Sequence, residues 1–267
     1  MTLKIGWFST GNGPGSLGLL NFILEEIRLQ KIDVEVDFVF SNRDPGEGSG
    51  SDNFHEFVKN NNIPLITHSS RLFRSKFVGN PAERRIAYDR NVMNLIRDHQ
   101  PAVCILAGYM LIVGPEMCHR YNMLNLHPAL PGGPTGTWPQ VIWSLIESSA
   151  STTGAMMHIA AEILDRGPVI SYFSIPIHGP KFDEEWEEIK GKTISELQAN
   201  PGEELQLFKR IRQEGYLREP HLVAETLKAL STGTIVIKSD SVPDYPTKPI
   251  QGLCLSEAIE KRLTELK

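Results

Sequence analysis

Length, composition and charge exclude several classes of protein. The chain has 267 residues, of which 40% are hydrophobic and 22% are charged, as in a globular domain with or without an appended piece. Its 27 Lys and Arg residues and 32 Asp and Glu residues give a net charge of −5, which disfavours binding to a nucleic-acid backbone. Apolar runs stay well short of the roughly 18 residues that a membrane helix needs. We therefore expect small-molecule partners, and neither nucleic acid nor membrane.

The N-terminus and the cysteines favour a cytoplasmic location. Residues 1–6 lead straight into a strand-like segment, without the basic leader and apolar stretch of a signal peptide. Cys104, Cys118 and Cys254 show neither a pairing pattern nor a CxxC spacing. We therefore expect reduced thiols and no structural zinc.

The first half of the chain alternates predicted strands with predicted helices. Strands are predicted over 3–9, 34–40, 64–67, 102–107 and 124–127, and helices over 17–29, 53–60 and 84–98. This α/β alternation predicts a mostly parallel sheet covered on both faces. Ligands of such sheets bind beyond the carboxyl ends of the strands. The loops 10–16, 108–115 and 125–137 are therefore candidate binding segments.

The second half predicts a continuation of the sheet and a C-terminal tail. Helices are predicted over 140–148, 203–215, 221–230 and 255–266, and strands over 153–159, 169–177 and 233–238. We place a boundary at Pro220, which gives a domain over 1–219 and a C-terminal extension over 220–267. Ala258, Ile259, Leu263 and Leu266 share one side of the last helix, so we expect it to pack back on the domain. A lid, a dimerisation element or a second substrate contact are the alternatives.

The loop from Gly11 to Ser16 precedes a helix, and its backbone N–H groups can cradle a phosphate. It lacks the Gly-Lys-Ser/Thr of a Walker loop, and it is not a clean dinucleotide fingerprint. A tight strand-to-helix turn without any ligand is the alternative interpretation.

Three polar residues form a candidate reactive centre. Asn125 and His127 lie two apart at the end of a predicted strand, so they share one face of the sheet. An amide and an imidazole placed in this way can stabilise an oxyanion. Asp165 precedes a Gly-Pro turn, and a carboxylate near His127 would orient the ring and favour its protonated form. A structural histidine and an ordinary turn aspartate are the alternatives.

Six stretches lie in one order over about residues 3–180, and together they resemble a known enzyme family. They are Ser9–Gly13, Val39–Asn42, Ala87–Arg90, Leu106–Met110, Asn125–Pro128 and Thr153–Ile170. In this combination the chain resembles the 10-formyltetrahydrofolate-dependent formyltransferases, and best of all the branch whose acceptor is 5-phosphoribosylglycinamide. The resemblance implies a three-layer, Rossmann-like α/β fold with a mostly parallel sheet and a short C-terminal α/β extension.

The resemblance also implies how the three polar residues act. The substrate amine would attack the formyl carbon carried on N10 of the folate and form a tetrahedral intermediate. Asn125 and protonated His127 would stabilise its oxyanion, while Asp165 would support His127 and help to move protons. In this family 10-formyltetrahydrofolate is a cosubstrate, and neither a metal nor a covalent enzyme intermediate is needed.

The same mapping assigns residues to the two substrates. The residues implied to bind the folate are Arg85, Met110, Leu111, Ile112, Val113, Asn125, Ala161, Glu162, Ile163, Leu164 and Asp165. The residues implied to bind the acceptor are Gly11, Asn12, Gly13, Gly15, Ser16 and Glu203. Core packing for 110–113 and a solvated helix position for Arg85 are the alternatives.

Several departures from the family pattern leave the acceptor open. The glycine loop is one residue longer, Leu111 stands where an arginine is common, and 129–138 differs from the usual loop. The alternatives are another amine such as a nucleotide sugar, the hydrolase that releases formate from the folate, and a non-catalytic folate-binding module. The hydrolase usually carries an N-terminal regulatory domain, which this sequence does not show. A homodimer stays open.

Overall fold

The computed structural model describes residues 2–161, 163–237 and 252–265. The strands in these residues are β1 Leu3–Ser9, β2 Val34–Ser41, β3 Leu65–Thr67, β4 Val103–Leu106, β5 Met123–His127, β6 Thr152–Ile159, β7 Val169–Pro176 and β8 Leu253–Cys254. The helices are α1 Pro14–Arg28, α2 Ser49–Asn60, α3 Ser70–Lys76, α4 Pro81–Leu95, α5 Pro115–Arg120, α6 Trp138–Glu147, α7 Asp183–Glu188, α8 Ile194–Ala199, α9 Gln206–Ser231 and α10 Ser256–Glu265, with a 3₁₀ turn over Gly202–Glu204.

The eight described strands form one sheet in the order β3-β2-β1-β4-β5-β6-β7-β8. Strands β1 to β5 pair in parallel, and β6 runs antiparallel between β5 and β7. The apolar strands β1 and β4 are almost wholly buried, as expected for a sheet covered on both faces. The prediction of a mostly parallel α/β sheet is confirmed.

Helices cover both faces of this sheet and give three layers. One apolar cluster joins the sheet to α1, α2, α9 and α10, and it includes Leu20, Phe54, Leu227 and Ile259. A second cluster lies on the other face under α4 and α5. A third packs α6 against the first half of α9. The layers therefore leave the carboxyl ends of the parallel strands open for a site.

Short elements and helix starts account for most of the differences from prediction. The helices α3, α5, α7 and α8 and the two-residue strand β8 were not predicted. The helix α1 begins at Pro14 rather than at 17, because proline suits the first helical position, where its missing N–H costs no hydrogen bond. Gly15 and Ser16 therefore belong to the first turn of α1 and not to a loop.

The predicted helix break at Pro220 is wrong. Residues Gln206–Ser231 form one helix with Pro220 inside it, so the predicted boundary between 219 and 220 lies within that helix. Proline inside a helix costs about 3 kcal/mol. Packing on both sides offsets this cost, since Phe208 is buried in one apolar cluster and Leu222 in another.

The predicted strand over 233–238 is also wrong for its described residues, 233–237. After α9 the chain turns at Gly233, whose φ is 75°. The N–H of Ile235 then donates to the carbonyl of Ala229 at 3.0 Å, so the segment folds back on the end of the helix. Lys238 lies outside the described residues.

The last helix packs on the domain, as its amphipathic pattern predicts. Ile259 is fully buried in the cluster that contains Leu222, and Leu263 packs against the same cluster. Arg262 pairs with Glu225 at 2.6 Å and also with Glu26. Of the four predicted inward residues, Leu266 lies outside the described residues.

We expect Ile259→Ala to lower the free energy of unfolding by about 2–4 kcal/mol, because it leaves a cavity in a fully packed cluster. Urea titration of both proteins measures the difference. Lys261→Ala, at an exposed position on the same helix, is the matched control and is expected to change stability by less than about 0.5 kcal/mol. A loss below about 1 kcal/mol for Ile259→Ala would show that α10 does not contribute as a structural element.

Candidate active site

A large cleft opens at the carboxyl ends of the central strands. Its volume is about 1340 Å³. Its walls come from the first turn of α1, the loop 106–113, the end of β5, the loop 136–140 and the inner face of α9. A cleft at this edge of a parallel sheet is the expected position for a ligand.

Asn125, His127 and Asp165 meet in the middle of this cleft. The first two lie on β5, and their spacing of two puts both side chains on one face. Asp165 lies in the loop between β6 and β7 with a φ of 56°, a left-handed conformation that aspartate tolerates better than most residues. Gly167 lets this loop close tightly, since a Cβ there would lie 1.7 Å from the carbonyl oxygen of Ile159.

The contacts among the three residues suit both proton transfer and oxyanion binding. His127 Nδ1 lies 3.5 Å from Asp165 Oδ2, and Asn125 Nδ2 lies 3.4 Å from Asp165 Oδ1. His127 Nε2 lies 2.8 Å from the carbonyl oxygen of Pro134. Asp165 also accepts a hydrogen bond of 3.1 Å from the N–H of Gly136. Both ring nitrogens of His127 therefore face oxygen acceptors, so the imidazolium can use both of its N–H groups.

His158 is a fourth member of the centre, and it was not predicted from the sequence. It faces Asn125 directly across the β5–β6 pair, with 3.0 Å between its Nε2 and Asn125 Nδ2. Its Nδ1 lies 3.0 Å from the carbonyl oxygen of Ile159 and donates to it. Burial lowers the pKa of the His158 imidazole to about 4, so the ring is neutral at pH 7. Its Nε2 must therefore accept from Asn125, which fixes the amide with Nδ2 towards the reactive centre.

We expect the pH dependence of stability to change when His158 is replaced. Its folded pKa of about 4 lies below the ordinary value of 6.5, so as pH falls from 6.5 towards 4 the unfolded chain takes up a proton that the folded protein does not. This uptake costs about 3 kcal/mol of stability over that window. Urea titration between pH 7 and 4.5 is expected to show a shallower loss for His158→Gln than for the parent.

His119→Gln, which removes an exposed imidazole, is the matched control and is expected to retain the parent's slope. An unchanged slope in His158→Gln would contradict a buried neutral imidazole. His127 and Asp165 face His158 and stay in place in both variants.

One arm of the cleft has an apolar wall. Met110, Leu111, Ile112, Val113, Ala161 and Leu164 line it. Met110 is 66% exposed and Leu164 48% exposed, so these side chains are open to a ligand, whereas Val113 is buried in the apolar core and Leu111 packs against that core. The N–H of Gly114 donates to Asp89 Oδ2 at 2.6 Å and anchors the loop, and burial raises the pKa of that carboxyl to about 6.

The other arm ends at the N-terminus of α1. Asn12, Gly13, Gly15 and Ser16 line it, and Glu203 lines its far side. Among the described residues no side chain caps α1. The Ser16 N–H donates to the carbonyl of Gly13 at 3.2 Å, and the Gly15 N–H in the same turn is open to an anion. Thr10 ties this turn to the apolar wall by accepting from the N–H of Met110 at 3.0 Å.

Some predicted residues lie outside the lining of the cleft. Arg85 is exposed on α4, Ile163 is 50% exposed and does not line the cleft, and Gly11 packs against Phe54. Their predicted roles stay predictions. Glu162 lies outside the described residues.

Several lining residues were missed by sequence reasoning because they come from α9 and from the first turn of α6. Arg212 lies between the rings of Trp138 and Tyr216, and it donates to Glu219. The spacing of Arg212, Tyr216 and Glu219 predicts that they share one face of a helix. It does not predict which part of the chain that face contacts.

The described residues show neither a cluster of metal-ligating side chains nor a membrane-spanning helix. No group of three or more His, Cys, Asp or Glu side chains in the described ranges is placed to hold a metal ion. No helix in the same ranges has the length and apolar character needed to span a bilayer.

Known proteins match this chain at the level of family and fold. A family model described as formyl transferase matches residues 11–194. Proteins named phosphoribosylglycinamide formyltransferase match it with 29% identity in Escherichia coli, over 63% of this chain and 70% of the relative, and with 26% identity in Schizosaccharomyces pombe, over 63% and 80%.

Solved structures match the fold over a longer part of the chain. A phosphoribosylglycinamide formyltransferase from Coxiella burnetii matches with a TM-score of 0.65 and 20% identity, over 95% of this chain and 99% of that one. A formyltetrahydrofolate deformylase from Pseudomonas syringae matches with a TM-score of 0.58 and 18% identity, over 89% and 64%. At these identities the likeness establishes the three-layer fold.

Proposed function

The chain belongs to the formyl transferase family, and on that premise we propose that it transfers the formyl group of 10-formyltetrahydrofolate to the amine of 5-phosphoribosylglycinamide, a step of purine biosynthesis. The contact set of Asn125, His127 and Asp165 carries the proposal. It lies between an apolar wall and a helix N-terminus, so two different substrates can meet there. The names of the Escherichia coli and Schizosaccharomyces pombe relatives support the choice of acceptor.

The apolar wall fits the flat ring system of a folate. Met110, Ile112 and Leu164 are apolar and exposed, which is the usual lining of a small-molecule pocket. Asp165 and Asn125 supply the polar groups beside this wall that orient a ligand. The formyl group would then lie beside the three polar residues.

The three residues stabilise charge and move protons, and the reaction needs no covalent bond between enzyme and substrate. The acceptor nitrogen bonds to the formyl carbon, the bond from that carbon to N10 breaks, and the proton lost by the amine ends on N10. Asn125 Nδ2 donates to His158 with one N–H, and its second N–H, which makes a long contact of 3.4 Å to Asp165 Oδ1, would turn to the developing oxyanion. His127 would pass a proton between the reacting groups, and Asp165 Oδ2, 3.5 Å from its Nδ1, orients the ring.

The N-terminus of α1 fits the phosphate of the acceptor. The N–H groups at Gly13 and Gly15 and the helix dipole favour a dianion at this end of the cleft. Glu203 lines the same cleft and would contact the rest of the acceptor.

An absorbance assay of folate deformylation tests this function. The purified protein is incubated with 10-formyltetrahydrofolate, with and without 5-phosphoribosylglycinamide. We expect deformylation that depends on the acceptor and yields the formylated amine. Deformylation without an acceptor would favour the hydrolase, and folate binding without turnover would favour another amine or a non-catalytic module.

We further propose a cytoplasmic location and small-molecule partners. The cysteines of the sequence show neither a CxxC spacing nor a pairing pattern, which supports a reducing compartment. Light scattering decides between a monomer and the homodimer that the sequence leaves open.

A further inference from the structure

The Ala87–Arg90 stretch of α4 lies outside the cleft, but one of its residues holds the apolar wall in place. None of its four residues lines the cleft. The carboxylate of Asp89 accepts from the N–H of Gly114, with 2.6 Å between Oδ2 and the nitrogen. Gly114 directly follows Val113, the last of the wall residues 110–113. Asp89 therefore fixes the point at which the wall meets α5.

The wall is held in this way at both of its ends. At its start, Thr10 accepts from the N–H of Met110 at 3.0 Å. At its end, Asp89 holds Gly114. Residues 111–113 span the distance between these two fixed points, so the shape of the wall depends on both contacts.

The contact between Asp89 and Gly114 leaves no room for another side chain. Both residues are buried, and Asp89 is 5% exposed. A Cβ built at Gly114 would lie 2.8 Å from Asp89 Oδ2, which is too close for a carbon atom. The φ of Gly114 is −81°, a value that any residue adopts. Glycine is therefore required here for space and not for backbone freedom.

The charged groups that face Asp89 come from α4 and α5. Burial raises the pKa of the Asp89 carboxyl to about 6, although the Gly114 N–H and the Arg85 guanidinium lower it. Glu116, in the first turn of α5, raises it further. The carboxylate is therefore charged near pH 8. A hydrogen bond to a charged acceptor is about twice as strong as one between neutral groups.

We propose that Asp89 is a positioning residue for the folate: by holding Gly114, it sets the shape of the apolar wall before the ligand binds. The inference rests on the proposed formyl transfer and names the residue that organises the folate side of its cleft. A wall that is already ordered spares the ligand the entropy of ordering it. When the contact is lost, the folate must order residues 111–113 itself, and its apparent affinity falls with the fraction of protein that has the competent wall.

Binding of tetrahydrofolate, measured by calorimetry near pH 8 without an acceptor, tests this inference. We expect Asp89→Ala to raise the dissociation constant about 10- to 100-fold, because a hydrogen bond to a charged group is lost and the Gly114 N–H stays buried. In turnover, KM for 10-formyltetrahydrofolate is expected to rise by the same factor, while kcat and KM for the acceptor stay within about 3-fold. An equal loss for both substrates is the result of a merely structural role and would overturn the proposal.

Asp89→Asn separates the contact from the charge. The amide keeps an oxygen that can accept from Gly114, so the dissociation constant is expected to stay within about 5-fold of the parent. A loss as large as that of Asp89→Ala would assign the effect to the charge that faces Arg85, and the proposed contact would then be wrong. Glu116→Gln removes a negative charge from an exposed position beside the same junction and is the matched control, for which no change is expected.

Gly114→Ala breaks the same contact from the side of the loop. Its Cβ displaces Asp89 Oδ2 from the N–H, so a similar rise in the dissociation constant is expected. In the Asp89→Ala background this obstacle is absent, and adding Gly114→Ala is expected to change the constant by less than about 3-fold. Effects that multiply in the double variant would mean that the two residues act separately, which contradicts the proposal.

The same measurements separate this inference from the proposed function. If the parent binds tetrahydrofolate but does not formylate 5-phosphoribosylglycinamide, the acceptor assignment fails, and weaker binding by Asp89→Ala would still support the positioning role. Equal binding by the parent and Asp89→Ala, or no binding by the parent, would overturn the inference. Melting curves identify a folding defect, and Gly114→Ala compared with Asp89→Asn decides the question if Asp89→Ala does not fold.

Discussion

Replacing His127 by alanine is expected to lower kcat for formyl transfer by about 10²- to 10⁴-fold, the range for loss of a general acid or base. The ring is 2% exposed, and its two nitrogens face Asp165 Oδ2 and the carbonyl of Pro134. Alanine removes the imidazole that would donate to the oxyanion and carry the proton. Single-turnover measurement of formyl transfer reads this loss directly.

Folate binding separates this chemical effect from damage to the cleft. The dissociation constant for the folate is expected to change by less than about 5-fold in His127→Ala, because the apolar wall remains. His127→Asn retains an N–H near the Nδ1 position but cannot hold a positive charge, so kcat is expected to stay low. A kcat within about 3-fold of the parent in either variant would remove His127 from the mechanism.

Part of this centre was predictable because it depends on local geometry. Asn125 and His127 share a face since the side-chain period of a strand is two, and no tertiary information is needed to see it. The position of that strand end in a parallel sheet also predicts a ligand at the same edge. Resemblance to a family then connected Asp165, which lies 38 positions after His127 in the sequence, with the same centre.

The rest of the centre depends on register and on packing between distant segments. His158 reaches Asn125 because the two residues are direct partners in the β5–β6 pair, and a single sequence does not specify that register. Arg212 reaches Trp138 because α9 lies along the first turn of α6. Neither contact leaves a periodic pattern in the sequence.

The fold shows the same division between local and tertiary signals. Apolar runs predicted seven strands to within two residues, whereas Pro220 predicted a helix end that does not exist. Intrinsic propensity is a small term, and burial of Phe208 and Leu222 on the two halves of α9 outweighs it. Helices of six or seven residues were missed because such short segments carry too few turns for a periodic pattern.

Asp165→Asn is expected to lower kcat by about 10³-fold or more, comparable to the loss seen when the orienting carboxylate of a Ser-His-Asp triad becomes an amide. The two carboxylate oxygens of Asp165 accept from the Gly136 N–H at 3.1 Å and from Asn125 Nδ2 at 3.4 Å, and Oδ2 also faces His127 Nδ1. An amide has one acceptor oxygen, so its NH₂ group must face one of these donors, and the negative charge beside His127 is lost.

The same change at Asp98, an exposed carboxylate far from the cleft, is the control and is expected to leave kcat unaltered. Asp165→Glu restores the charge but displaces it by one methylene in a nearly closed site, so partial recovery is expected. The amide side chain in Asp165→Asn fills the same space as the carboxylate. Melting temperatures of the parent and the variant are therefore expected to agree to within about 5 °C. Full activity of Asp165→Asn would mean that His127 and Asn125 hold their geometry without the carboxylate, and the proton transfer proposed for this centre would then need another carrier.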